Sequence, residues 1–146
     1  MEQSRKNLKI SSIFILILGV VSFIDVIIEL FFGDINKATL PEGTTENILL
    51  IAKIILLVIS FVILLPQFYV GFKGLQIAKK PKSSTRHIKW AVVLLVLTIV
   101  GVVNALVGIL KGTDAKDYIS SLFDGALEGI FYYEYIKYAR LVAKEQ

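Results

Sequence analysis

Four apolar runs constrain this chain more than any other feature. They cover about residues 10–32, 48–78, 88–110 and 118–139. Each is long enough, at about 1.5 Å of helical rise per residue, to cross the roughly 30 Å of hydrocarbon in a bilayer. Membrane barrel strands would alternate with period two, and these runs do not. The composition agrees, with 55% hydrophobic and 19% charged residues and a mean hydropathy of +0.73. The expectation is an all-α integral membrane protein, an antiparallel four-helix transmembrane bundle forming a single domain over residues 1–146.

The start "MEQSRKNLKISSIFILILGVVSFI" has the basic and apolar regions of a secretory leader. Its apolar stretch runs on through "DVIIELFF", too long for a leader's core, and no small-residue cleavage site is well placed. The run is therefore expected to stay as the first span. The connections are short and carry turn and cap chemistry. "GDINKATLPEGTTEN" offers Thr44 or Thr45 as an N-cap, and "KGTDAKD" offers Thr113 or Asp114 beside Gly112.

Basic residues are placed unevenly. Arg5, Lys6 and Lys9 precede the first run, and Lys73, Lys79, Lys80, Lys82, Arg86 and Lys89 flank the second-to-third connection. Lys137, Arg140 and Lys144 close the chain, while the other two connections hold only Lys37, Lys111 and Lys116. Twelve stand against three, so positive-inside bias puts both termini in the cytoplasm of a plasma (inner) membrane. Lysine-over-arginine and isoleucine-rich usage suits an AT-rich bacterial genome. The basic connection is read as a topology signal resting on lipid headgroups, with no nucleic acid as partner. "FYYEYIKYAR", with Tyr132, Tyr133, Tyr135 and Tyr138, reads as an aromatic belt at the same interface. His87, beside Arg86 and Lys89, is expected to be solvated there.

The polar residues within the spans share a height. With helical rise, Asp25 falls about 6 Å outside the midplane and Glu29 about 12 Å. Lys53 falls roughly 10 Å outside, Asn104 and Asp124 about 7 Å, and Glu128 near the middle. They also share faces: Ser22, Asp25 and Glu29 on the first span; Lys53, Leu57, Ser60, Leu64, Gln67, Gly71, Gly74 and Ala78 on the second. The third span has Gly101, Asn104, Ala105 and Gly108, and the fourth has Asp117, Ser121, Asp124, Gly125, Glu128 and Gly129. In lipid, small residues permit close helix approach and polar ones bond across the interface. Gly71, Gly74, Gly101, Ala105, Gly108, Gly125 and Gly129 are the expected packing positions. The expectation is a polar interior in the outer half, with Asp25, Glu29, Lys53, Asn104, Asp124 and Glu128 as candidate ligand- or ion-binding residues.

The charges there do not balance. Four carboxylates face one embedded ammonium, Lys53. Either a register-fixing hydrogen-bond network or a functional pocket accommodates them. The favoured reading is an accessory protein acting by association or ligand binding, with a membrane-protein partner or a second copy. The alternative is a proton- or cation-coupled small transporter using Glu128, Asp124 and Asp25. Carboxylates alone would suit calcium or magnesium, but no connection has a recognisable ligand spacing, so the metal is left unassigned. No cofactor is expected. Enzymatic chemistry has little support: Ser22, Ser60, Thr98, Ser120 and Ser121 offer hydroxyls, but the chain has no cysteine and its one histidine lies outside the spans. Pro66, inside the second span, is a candidate hinge.

Overall fold

The computed structural model describes residues 2–33, 43, 45–82, 84–112 and 115–146. It is all-helical, with α1 (Glu2–Phe32), α2 (Glu46–Lys79), α3 (Arg86–Leu110) and α4 (Ala115–Lys144). Each helix contains one of the four apolar runs. Thr45 caps α2, its Oγ1 accepting from the Ile48 N–H at 3.4 Å and its carbonyl from Leu49 at 3.1 Å. Thr44, Thr113 and Asp114 lie outside the described residues. α3 stops where Gly112 takes φ +75°, a left-handed conformation that costs glycine little. The Gly112 and Lys111 amides then close on the carbonyls of Ile109 and Val107.

Among the described residues, three helices are long and apolar enough to cross a membrane: α1, α2 and α3. Their apolar surface is not spent on a core. None of the most apolar 18-residue stretch of α2 is buried, and only 6% of that of α3. A helix apolar on all sides and uncovered by protein is suited to lipid. α4 places Asp124, Glu128 and Glu134 in its central stretch, and no such window occurs in it.

The chain forms two compact units, Met1–Ile17 with Pro66–Gln146, and Leu18–Leu65. On α2 the boundary falls at Pro66. The first unit holds the core: Leu8 and Ile15 of α1, Val70 and Ile77 of α2, Ile88 and Ala91 of α3, and a row on α4 from Tyr132 and Tyr135 to Ala139 and Val142. Its helices touch at named points. Along α1 and α2, Ile15 lies by Gln67 and Arg5 by Ala78. Along α3 and α4, Gly108 lies by Tyr118 and Val102 by Gly125. Phe14 of α1 stacks on Phe131 of α4 at 4.5 Å between ring centroids.

Close approach explains both glycines of α2. A Cβ on Gly71 would lie 2.5 Å from Leu16, and one on Gly74 would collide with Ser12 Oγ and the Tyr135 ring. Without hydrophobic drive between helices in lipid, such contact is what van der Waals packing can use. Ser12, fully buried, answers its hydroxyl by bonding the Leu8 carbonyl at 2.7 Å. In the second unit Phe23 meets Phe61 edge-on at 5.6 Å.

Candidate functional site

The second unit holds three of the six candidates. On α1 the less exposed line runs Gly19, Ser22, Phe23, Val26, Ile27 and Leu30, while Asp25 and Glu29 are exposed. Ser22 thus keeps the expected face, and the two acids stand beside it. The space between α1 and α2 there is taken by the Phe23–Phe61 contact. On α2, Lys53, Leu57, Ser60 and Leu64 are half-buried and their neighbours exposed, so the stripe is the covered side. Lys53 places its ammonium 5.9 Å from the Phe31 ring centroid, within cation–π range.

The first unit holds the other three. Asn104 and Asp124 are exposed, and Glu128 is half-buried. Glu128 lies near the side chain of Gln67 and feels the charge of Asp124. Gln67 is itself only 5% exposed and donates from Nε2 to the Ile15 carbonyl at 3.1 Å. This amide therefore ties α2 to α1 and lies near Glu128 of α4. Gln67 was legible only as a member of the α2 stripe, four residues before Gly71; its partners are long-range.

The packing candidates differ among themselves. Gly108 lies against the Tyr118 ring and Gly125 against Val102, both closer than a Cβ would allow. Gly129 has ordinary contacts with Thr98 and Leu95, Ala105 is buried, and Gly101 faces open space. Between α3 and α4 an apolar groove of about 350 Å³ is lined by Thr98, Val102, Gly125, Gly129 and Tyr133. The hydroxyls of Ser60 and Thr98 are each bonded, at 2.8 Å, to a carbonyl one turn back in their own helices. Among the described residues no three His, Cys, Asp or Glu side chains gather as a metal site would need.

His87 corrects the sequence reading. It is 1% exposed, not solvated. Nε2 faces the Ser84 carbonyl at 2.8 Å and must carry a hydrogen to bond it. Nδ1 faces the Tyr135 hydroxyl at 2.7 Å, and that hydroxyl also faces the Val70 carbonyl at 3.0 Å. Nε2–H donates to Ser84, and the Tyr135 hydroxyl has one proton for Nδ1 and the Val70 carbonyl together. A neutral ring takes it at Nδ1, whereas a doubly protonated ring donates to the hydroxyl oxygen and leaves that proton to Val70. Position 87 shares a helical face with buried Ala91, which turns it inward despite charged neighbours. The tyrosine belt is corrected in the same way: Tyr132 and Tyr135 are core residues, at 2% and 0% exposure, while Tyr133 is exposed. Among the described residues no buried side-chain nitrogen or oxygen lacks a hydrogen-bond partner.

The chain matches no protein-family model, no curated protein and no solved structure.

Proposed function

We propose that this is a four-span membrane protein with cytoplasmic termini that acts by association, using the acid-bearing outer parts of its helices. The observation that carries the reading is the exposure of Asp25 and Glu29 on a helix otherwise suited to lipid. A charged acid facing acyl chains costs about 2.5–3.5 kcal/mol on insertion scales. A second copy or a membrane-protein partner that presents donors to these residues removes that cost. Exposed Asn104 and Asp124, and the groove holding Gly125 and Gly129, extend the same argument to α3 and α4. The polar interior then belongs to the assembled state, with Lys53 as the embedded counter-charge.

The test is co-purification from native membranes in mild detergent. Wild type should retain a stoichiometric partner or a second copy, and Asp25→Asn with Glu29→Gln, or Lys53→Met, should release it. A wild-type chain that is monomeric and alone under those conditions defeats the reading.

A second reading, proton- or cation-coupled transport, draws on Glu128. Its carboxyl is half-buried, near Gln67 and under the charge of Asp124, a setting able to exchange a proton for a cation. Flux in proteoliposomes should then vanish in Glu128→Gln; flux unchanged by that substitution removes this alternative.

A further inference from the structure

A hollow of about 320 Å³ opens where α2 ends and the chain turns toward α3. Four lysines line it, Lys73, Lys79, Lys80 and Lys82, with Gln76 and Ser84, and Ile77 is at its base. No acidic side chain is among its described lining residues. Several of the acceptors at the end of α2 are already in use. Arg5 reaches across from α1 and donates from Nε to the Ala78 carbonyl at 2.9 Å and from Nη2 to that of Lys79 at 2.8 Å. The Gln76 carbonyl receives the Lys80 amide at 2.9 Å, and the Gln76 side chain receives Lys73 Nζ at 3.2 Å. That one amide contact offsets no charge. Four ammonium groups around one concavity repel each other, and an anion with several acceptor oxygens relieves this.

We propose that this hollow binds a phosphate-bearing anion. It lies just beyond the last apolar turns of α2, at the level where a span meets headgroups, and basic pockets of this kind hold anionic headgroups. An anionic phospholipid and a free phosphate ester present the same chemistry, and the buried Ile77 gives the hollow an apolar base against the glycerol side of a lipid. The site differs from a diffuse topology signal because its four lysines line one hollow. Its anchor is rigid: the Ser84 carbonyl is held by buried His87, and the end of α2 by Arg5.

The test uses full-length protein purified in a neutral detergent, where membrane orientation plays no part. Native mass spectrometry follows titration with phosphatidylglycerol, with phosphatidylcholine and with inorganic phosphate. We expect one saturable phosphatidylglycerol and no retained phosphatidylcholine. At about fivefold per lysine, K79Q/K80Q/K82Q should weaken binding on the order of a hundredfold. The triple change to arginine should keep it, which also shows that altering this segment does not unfold the chain. K137Q/R140Q/K144Q, an equal loss of charge on α4, should leave it unchanged. Competition by inorganic phosphate assigns the site to free phosphate esters as well; its absence restricts the site to the headgroup. Equal weakening by both triple variants, or binding without saturation or absent altogether, overturns the proposal.

Discussion

Nδ1 of His87 lies 2.7 Å from the hydroxyl of Tyr135, with the two rings edge to face at 87°. This contact joins α3 to α4, and the Tyr135 hydroxyl continues to α2 through the Val70 carbonyl. A polar chain inside an apolar core is tolerable only when every member has a partner. Here Ser84 supplies the last one.

Tyr135→Phe should therefore destabilise the fold by about 1–3 kcal/mol, because it leaves the buried Nδ1 without its partner. Thermal unfolding in detergent measures the loss. Tyr133→Phe is the control: its ring is 60% exposed, and the change should be close to neutral.

Gly74→Ala and Gly101→Ala should move in opposite directions. The new methyl on Gly74 would collide with Ser12 Oγ and the Tyr135 ring, for a cost of about 1–3 kcal/mol. At Gly101 there is nothing within 4 Å, and alanine in a helix interior gains roughly 0.5–1 kcal/mol over glycine. Unfolding midpoints of the two variants, compared in one detergent, check both signs.

Arg5→Lys should loosen the end of α2. The guanidinium holds two carbonyls at once with its planar fork, and an ammonium cannot reproduce that geometry. Amide exchange should quicken through the last turn, Gln76 to Lys80, while the middle of α3 stays as protected as before.

Gln67 and Glu128 should be energetically coupled. Replacing both by leucine should cost less than the two single replacements added together, by about 0.6–1.7 kcal/mol, the range for polar pairs between membrane helices. A double-mutant cycle on unfolding in bicelles measures it, and strict additivity would show that the two groups do not share a bond.

Much of the framework could be read directly. Apolar runs of span length predict the helices because hydropathy is a local property. The inward line Lys53, Leu57, Ser60, Leu64 and Gln67 follows from helical spacing, and the same residues form the less exposed side of α2. The rotation of α1 was not legible. Asp25 and Glu29 were read with Ser22 as one face, yet a turn of a fraction of the helix separates covered from exposed, and the meeting of Phe23 with Phe61 helps set it.

His87 and Tyr135 mark the limit most clearly. Arg86 and Lys89 make position 87 look wet, and a run of tyrosines near cationic residues looks like an interface. Sequence alone determined that this chain is a set of long apolar helices with its basic residues gathered at particular ends. Tertiary structure decided which polar groups are enclosed. Enclosure depends on partners 48 residues away for His87 and Tyr135, and 52 for Gln67 and Ile15. No local pattern encodes that pairing, because hydrogen bonds across helices depend on how the helices dock.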